Sequence, residues 1–446
     1  MKIINIKRKK GKFRVYNFET KKVNNYFANN ILVHNCFAYM QKSNNPSFSG
    51  KLHTLNADNM ISTLRGKPKG SRKQFYEHFY KKRFVLHWGG LADPFCNFEK
   101  ANDVGYKIIK ALAEDAYPTL FSFKGSAVFR PKFVKLFEKY ADKKSFGFQV
   151  SIIAPRDDVS REIEVGVPVT SKRIKAIKML SDMGYYTVLR LRPFIIGVSD
   201  DGLDELLHKC KDAGIKAIST EFIALDMRSN TMLMKRYKRI GELMGVGKKN
   251  VMKYFKDLSP SERGGYLRLN RLVKERFVKQ MYTFCLKNDI LFACSDPDFK
   301  ELNMSGSCCG LPDDYKENRE MQNWTKNQLT YHLKEARRLY HQDEIIYDFR
   351  FDNVFNPDKD TYLRSVDLGQ DHVGVIGMRA SERNSATYLR AARTVWNNLK
   401  SPGNPRNYFH GKIMPTKADS TGNLVYVYVP SDYEDRWKEE GIDLTK

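Results

Sequence analysis

Residues 84–223 alternate between two kinds of segment, and this alternation limits the possible fold more than any other feature of the chain. Short runs rich in aromatic and β-branched residues predict strands at 84–88, 119–123, 148–153, 186–191 and 217–223. Amphipathic segments between them predict helices near 100–115, 131–140, 171–183 and 201–213. Strands separated by helices indicate βαβ units and a parallel sheet. We therefore predict an α/β protein with its site at the C-terminal ends of the strands.

Size and charge narrow the class of protein. The chain has 446 residues, 41% of them hydrophobic, which is enough for one large core or two smaller ones. Its 77 Lys and Arg against 51 Asp and Glu give a net charge of +26. Such an excess favours polyanions such as nucleic acid, although a solvated basic surface gives the same count. With neither a signal peptide nor an apolar run near the roughly 18 residues of a membrane span, we expect a cytoplasmic protein with no membrane partner.

The start of the chain carries the parts for a backbone rearrangement. Residues 13–20 and 26–36 read as strand-like runs around a polar turn, a β unit too small to bury a core alone. The second run ends His34-Asn35-Cys36. An Asn side-chain amide can attack its own carbonyl and cleave the following bond, with a neighbouring His moving protons. A Cys sulfur can accept the acyl group, so these three residues contain the parts for protein splicing.

The segments "VYNFETKKVNNYFANN" and "ILVHNC" resemble the last two blocks of an intein. The resemblance implies that Asn35 cyclises, that His34 assists it and that Cys36 is the first residue of the spliced host protein. So short a segment resembles the C-terminal half of a split intein, with a separate N-terminal intein/extein polypeptide as its partner. Residues 1–35 carry nine Lys and Arg and one acid, which favours an acidic partner fragment. The alternative is a β-hairpin with an accidental His-Asn-Cys.

The host sequence begins "CFAY" at Cys36, which resembles the end of the radical S-adenosylmethionine motif CxxxCxxC. The resemblance makes Cys36 the third ligand of a 4Fe–4S cluster whose open iron binds S-adenosylmethionine, with an external electron donor. The other two cysteines would lie on the partner polypeptide. The implied fold is a partial parallel (β/α)6 TIM-like barrel that lacks its first strand.

Three further stretches resemble the spore photoproduct lyase-like branch of that family: "LHWGGLADPFCNFE", "FSFKGS" and residues 150–200. The resemblance implies that Gly89, Gly90 and Ser151 contact S-adenosylmethionine, the glycines by close backbone approach. Glu164 and Arg173 match as well, but they also fit a surface cap or ion pair.

Arg190 and Arg192 also lie in the matched stretch. They are two residues apart on a predicted strand, so they share a face. Two arginines facing an apolar core are unfavourable, which favours a polar barrel mouth and a cofactor contact.

The cysteines suggest a second metal centre. In a long chain without a secretion signal, thiols bind metal or stay reduced in the core more often than they form disulfides. Cys96, Cys210 and Cys285 stand among apolar neighbours and read as structural. We predict that a second group, Cys294, Cys308 and Cys309, binds an auxiliary Fe–S cluster or zinc. A radical-relay thiol and structural cysteines remain the alternatives.

These observations divide the chain into four predicted segments. They are the intein C-terminal segment 1–35, the radical S-adenosylmethionine partial barrel 36–225, a basic helical region 226–315 and a mainly helical α+β C-terminal extension 316–446. The basic region fits a lid, a nucleic-acid surface or a solvated helix face. In the extension, residues 325–342 and 381–399 read as helices and 423–430 as a strand.

The predicted function is that of a trans-spliced enzyme. It would use a 4Fe–4S cluster and S-adenosylmethionine to generate a 5′-deoxyadenosyl radical, with nucleic acid or a nucleotide as the expected substrate class. The alternative is a non-catalytic metal-binding module for nucleic acid that uses the second cysteine group and the basic helices.

Overall fold

The computed structural model of the chain describes residues 26–28, 31–33, 56–70, 73, 76–81, 83–89, 93–96, 103–164, 166–227, 231–246, 251–258, 261–263, 266–326, 328–343, 346–354, 386–401 and 403–446. Within these residues no helix combines the length and the apolar character needed to cross a membrane.

Two short strands lie in the intein-like segment. β1 (Tyr26–Ala28) and β2 (Ile31–Val33) pair antiparallel, with Tyr26 opposite Val33. The run that we predicted as one strand therefore contains two. His34, Asn35 and Cys36 lie outside the described residues, as do residues 13–20, so the splicing roles and the first cluster ligand stay predictions.

The remaining strands are β3 (Leu86–Trp88), β4 (Thr119–Phe123), β5 (Phe146–Ser151), β6 (Tyr186–Phe194), β7 (Ala217–Phe222), β8 (Ala224–Asp226), β9 (Ser261–Arg263), β10 (Tyr266–Arg268), β11 (Leu291–Cys294), β12 (Ile413–Ala418) and β13 (Leu424–Tyr428). The α-helices are α1 (Ala57–Leu64), α2 (Val104–Glu114), α3 (Pro131–Tyr140), α4 (Asp157–Ile163), α5 (Thr170–Asp182), α6 (Leu203–Asp212), α7 (Thr231–Leu243), α8 (Val251–Asp257), α9 (Arg271–Asn288), α10 (Arg319–Lys326), α11 (Leu329–Asp343), α12 (Phe351–Val354), α13 (Ala386–Asn397), α14 (Pro405–Tyr408) and α15 (Asp432–Glu439).

A six-stranded parallel sheet organises the chain, in the order β3-β4-β5-β6-β7-β11. The predicted α/β class is confirmed, and all five predicted strands lie in this sheet. The sixth strand, β11, was not predicted. It carries the sheet past residue 225, where we expected the barrel segment to end.

The strand order follows the chain order, so each crossover moves in the same direction across the sheet. A doubly wound sheet would instead reverse direction at a switch point. Because crossovers share one hand, their helices must lie on one face. Residues of α2, α3, α5, α6 and α9 accordingly join the strands in one buried cluster. This arrangement is compatible with a partial barrel.

Aromatic rings fill the layer between strands and helices. On β4, Phe121 and Phe123 face the helices, and Phe121 stacks on Phe148 of β5 at a centroid distance of 5.4 Å. Phe137 of α3 packs edge-on against Phe148 at 5.2 Å. Because side chains alternate along a strand, the residues between these aromatics point to the opposite face.

That opposite face is covered by residues 305–311, which we call the strap. Cys309 and Leu311 of the strap pack with Leu120 of β4 in a buried apolar cluster. Gly310 has a φ of +74°, and a side chain there would lie 2.8 Å from Cβ of Ala217 in β7. The strap therefore touches the sheet directly, at a position that only glycine suits.

The segment between β7 and α9 lies over the C-terminal ends of the central strands. Ile240 and Leu243 of α7 pack against Ile153, which follows β5, and Ile195, which follows β6. Strands β8, β10 and β9 form a separate three-stranded antiparallel sheet in this segment. The predicted basic helical region thus covers one side of the sheet's C-terminal edge.

The C-terminal extension has its own core and is fastened to the sheet domain. The hairpin of β12 and β13 packs with α11 and α13 around Trp396 and Tyr426. Tyr433 and Trp437 of α15 belong to the main core instead. The extension is therefore α+β, and its last helix is part of the larger unit.

Candidate functional site

Three charged side chains gather where β6 and β7 end. Arg190 and Arg192 lie on β6, and Arg190 is opposite both Ser151 of β5 and Ser219 of β7. Glu221 follows Ser219 by two residues, so it shares that face of the sheet. We call Arg190, Arg192 and Glu221 the open triad. Arg190 and Arg192 thus lie on the same face of β6, as their two-residue spacing predicts.

The open triad makes few bonds within the protein. Arg190 donates one long hydrogen bond, 3.3 Å, to Oγ of Ser151. Arg192 donates through Nη2 to the carbonyl of Cys308, and its buried Nε has no hydrogen-bond partner among the described residues. Within the same residues, no ion pair joins either arginine to Glu221. Unused donors beside an unpaired carboxylate are able to bind a ligand that carries both charges.

The local electrostatics keep both arginines charged at neutral pH. Burial, and then the adjacent charge of Arg192, lower the pKa of Arg190 from 12.5 to about 10. For Arg192, burial also works against the charge. Cys308 and Glu221 act in the other direction and raise the pKa of Arg192 above its ordinary value. Two like charges therefore persist side by side, with Glu221 as a nearby counter-charge that forms no ion pair with either, and an anion bound between them would be favourable.

Side chains of three strands hold the strap by its carbonyl oxygens. Oγ of Ser219 donates to Cys308 at 2.9 Å, Nε2 of Gln149 donates to Cys309 at 2.7 Å, and the Tyr186 hydroxyl donates to Gly310 at 2.8 Å. These bonds fix the strap beneath the open triad, as a floor for the site.

A second chain of bonds runs from the same floor to the edge strand. Ser122 donates to Oε1 of Gln149 at 2.5 Å, and Nε2 of His87 lies 2.8 Å from Oγ of Ser122. Since Ser122 has given its proton to Gln149, His87 must donate through Nε2. The donor and the acceptor of each hydrogen bond in this chain, from His87 on β3 to the strap, are therefore determined.

The motifs "LADPF" and "FSFKGS" meet at Asp93. Its carboxylate accepts backbone hydrogen bonds from Phe95 at 2.8 Å, Lys124 at 2.7 Å and Gly125 at 2.8 Å. Burial raises the pKa of Asp93, against the three amides, which lower it. A Cβ on Gly125 would lie 1.9 Å from the Phe95 carbonyl oxygen. Both motifs therefore clamp two neighbouring strand ends together.

Gly89 has a structural reason to be glycine. Its φ is +132°, and a Cβ there would lie 1.9 Å from the carbonyl oxygen of Ser122. The neighbouring strand alone accounts for the residue, without a ligand. Gly90 lies outside the described residues, so the cofactor contact predicted for this pair stays a prediction.

Glu164 and Arg173 form a buried ion pair, and the surface alternative for them is wrong. Arg173 is 1% exposed and bonds both carboxylate oxygens of Glu164 and the carbonyl of Ser151. Lys124 donates to the same carboxylate at 2.6 Å. Burial would raise the pKa of Glu164, but Lys124 and Arg173 lower it from 4.5 to about 2. This closed group ties β4 and β5 to helices α4 and α5.

The structure does not support the second metal centre. Cys294 ends β11 and is fully buried, its backbone bonded to Asn303. Cys309 lies under the sheet, and Cys308 is partly exposed. Among the described residues, no group of three His, Cys, Asp or Glu side chains is placed to hold a metal ion. The residues present do not fit an auxiliary cluster or zinc, and the metal stays a prediction without structural support.

Sequence reasoning missed Glu221, Ser219, Gln149 and the strap. A usable signal existed for Gln149, because Gly147, Gln149 and Ser151 alternate with aromatic or aliphatic residues on β5. On β7 the alternation is incomplete, because Thr220 lies between Ser219 and Glu221. Parallel strands covered on both faces are usually apolar throughout, so this alternation marks a polar face. The strap has no such period.

The chain matches no model of a known protein family, and no curated protein resembles it significantly.

Proposed function

We propose that this chain is the C-terminal part of a radical S-adenosylmethionine enzyme that is completed by protein splicing. The proposal rests on the sequence from Asn35 to Tyr39 and on the stretch from residue 84 to 200 that resembles the spore photoproduct lyase-like branch. The observation that carries it furthest is the open triad at the C-terminal edge of a parallel sheet, the edge where α/β enzymes bind their ligands.

The open triad suits the charged end of S-adenosylmethionine. The carboxylate of S-adenosylmethionine would accept charge-assisted hydrogen bonds from Arg190 and Arg192, and its negative charge would relieve the repulsion between the two guanidinium groups. The cationic groups of the same ligand would face Glu221. Ser151 would orient Arg190 through their existing hydrogen bond. The strap and the segment over β5 and β6 would exclude water from this site.

When bound, a 4Fe–4S cluster supplies the electron that cleaves S-adenosylmethionine to a 5′-deoxyadenosyl radical. Cys36 would be one of its three thiolate ligands, and the other two would come from the partner polypeptide. An electron donor would reduce the cluster. Residues 1–35 carry a net charge of +8 and leave on splicing, so the remaining residues keep 26 − 8 = +18. This charge and the resemblance favour a nucleic acid or nucleotide as substrate.

The test begins with splicing. The chain is mixed with the partner polypeptide, which we expect to end in a strand, the sequence CxxxCxx and the N-terminal intein blocks. Mass spectrometry should find a ligated product. Asn35→Ala should abolish cleavage before Cys36 because alanine cannot cyclise, and Cys36→Ala should abolish ligation. Normal ligation by the Asn35→Ala variant would contradict the splicing mechanism.

The spliced protein is then reconstituted anaerobically with iron and sulfide and given S-adenosylmethionine and dithionite. We expect release of 5′-deoxyadenosine. Arg190→Gln and Arg192→Gln should weaken S-adenosylmethionine binding at least tenfold, whereas Lys279→Gln, on the outer face of α9, is the matched control. A fully loaded spliced protein that releases no 5′-deoxyadenosine would show that the proposed function is wrong.

A further inference from the structure

We propose that Cys308 and Cys309 form a redox modification site. Low-molecular-weight disulfides such as glutathione disulfide would oxidise the pair to a disulfide between neighbouring residues, and this would release Arg192 from the strap. The inference goes beyond the proposed function and does not depend on it. It starts from the misfit of these two cysteines to a metal site.

The two cysteine residues differ in solvent exposure, as a stepwise oxidation requires. Cys308 is partly exposed, while Cys309 is 4% exposed and packs with Leu120 and Leu311. Reagent can therefore reach Cys308 first, and Cys309 is the neighbour that completes the reaction. The remaining described cysteines are Cys96, which is partly exposed, and the buried Cys210, Cys285 and Cys294.

The reaction balances as two thiol–disulfide exchanges. The sulfur of Cys308 attacks glutathione disulfide, which forms a mixed disulfide and expels one molecule of glutathione. The sulfur of Cys309 then attacks the Cys308 sulfur and expels the second. The protein loses two electrons and two protons, and both are accounted for by the two glutathione molecules.

Closing this ring must move the peptide unit between the two residues. Neighbouring Cα atoms lie about 3.8 Å apart across a trans peptide, whereas a relaxed disulfide needs about 4.4 to 6.8 Å between Cα atoms. Because the peptide bond fixes the Cα–Cα distance, the mismatch is taken up as strain in the bond angles and torsions of the ring, and the two sulfur atoms can meet only if the peptide group between them turns. A disulfide closed under such strain is readily reduced again, which makes the modification reversible.

That same peptide unit is bonded to the site. Its carbonyl, on Cys308, accepts from Arg192 and from Ser219, and its N–H, on Cys309, donates to Oγ of Ser307 at 3.1 Å. Rotation cannot preserve all three bonds. Arg192 would lose its hydrogen bond to the Cys308 carbonyl, the one hydrogen bond that it makes to the described residues. Oxidation of the strap is thereby linked to the position of an open-triad residue.

The experiment uses the full chain, reduced or treated with glutathione disulfide, then alkylated and digested with trypsin. Cleavage after Lys300 and Lys316 gives the peptide 301–316, whose only cysteines are Cys308 and Cys309. After oxidation we expect this peptide unalkylated and two hydrogens lighter than its dithiol form. Hydrogen exchange at the Cys309 and Gly310 amides should speed up at least tenfold in the oxidised protein and recover on reduction.

Two variants keep the test decisive. Cys309→Ser, or Cys309→Ala if the serine variant does not fold, should stop at a glutathione adduct on Cys308. Cys96→Ser should leave ring formation unchanged. A wild-type peptide that carries only glutathione, or that is linked to Cys294 or Cys96, would overturn the proposal. Ring formation with unchanged hydrogen exchange would overturn the link to Arg192.

Discussion

Two groups of charged side chains, one buried and one half-buried, differ in how their charges are paired. In the first, at the junction with the C-terminal extension, the charges pair with one another. Lys274 is fully buried and donates to Asp296 at 2.7 Å and to Asp298 at 2.5 Å. Asp298 also pairs with His410 of the extension at 3.1 Å. Burial would raise the pKa of Asp298, but His410 and Lys274 hold it below the ordinary value.

The rest of the junction follows the same rule. Glu301 accepts from Lys412 and from the Tyr433 hydroxyl, and His341 lies 2.6 Å from a carboxylate oxygen of Glu434. The open triad differs, because its two arginines are adjacent and none of its members is ion-paired with another. Closed groups hold elements together, whereas an open group keeps its bonding capacity for a ligand. The difference separates a structural cluster from a candidate site without reference to family.

Removal of one member of a closed group should have the largest effect. Lys274→Met leaves Asp296 and Asp298 buried with a single histidine, so the free energy of unfolding should fall by about 3 to 5 kcal/mol in urea denaturation. Lys279 on the same helix pairs with Glu440 at the surface, and Lys279→Met should cost about 1 kcal/mol or less. Equal effects of the two variants would remove the distinction between closed and exposed pairs.

The buried pair of Glu164 should show its contribution in the pH dependence. Its folded pKa, about 2, is below the ordinary 4.5, so its stabilisation is complete above pH 4.5 and is lost as the pH falls towards 2. We expect Glu164→Gln to be less stable than wild type by about 3 kcal/mol at neutral pH. The difference should shrink between pH 4.5 and 2. A difference that is constant over this range would mean that the carboxylate charge contributes nothing.

Loss of a member of the open triad should behave in the opposite way. Arg190→Met removes a half-buried like charge and only one long hydrogen bond, so stability should be unchanged or should rise by about 1 kcal/mol. Thermal unfolding of the two proteins measures this change. A loss of several kcal/mol would place Arg190 among the structural charges and would weaken the case for a site.

The smallest effect is expected at Glu221. Glu221→Gln should lower the free energy of unfolding by about 0.5 kcal/mol or less, because the attraction of Glu221 for Arg190 and Arg192 acts without an ion pair at contact distance. Chemical denaturation monitored by circular dichroism has the precision for this comparison when both proteins are measured together. A larger loss would reveal a structural partner for the carboxylate.

Local pattern was enough to predict most of the sheet. The strand Thr119–Phe123 and the helix Pro131–Tyr140 have the predicted bounds, because their aromatic and apolar periods are long and regular. β11 was missed because Leu291–Cys294 is short and directly follows a long helix. The sequence also predicted that Arg190 and Arg192 lie on one face of their strand, because they are two residues apart.

The contacts between residues far apart in the chain could not be predicted from the sequence. Nothing in "SGSCCGL" indicates that Gln149 and Tyr186 bond its carbonyls, since an irregular segment has no period to interpret. The two cysteines of that segment suggested a metal site. Its position against the sheet is explained instead by hydrogen bonds from sheet side chains to its backbone carbonyls. Asp93 was noted only as part of a motif, because a carboxylate that caps amides from another loop is recognisable only in three dimensions.

The sequential strand order also has a consequence for how the molecule assembles in time. From β4 to β7 each strand is joined to its neighbour in the sheet by one crossover, so this part of the sheet can grow by local steps with small losses of loop entropy. The strap instead joins partners 160 residues apart, as in Gln149 and Cys309, and Arg83 reaches Glu320 across 237 residues. We expect the sheet to form early and the strap to dock late. During folding the sheet would therefore exist before the strap completes the candidate site.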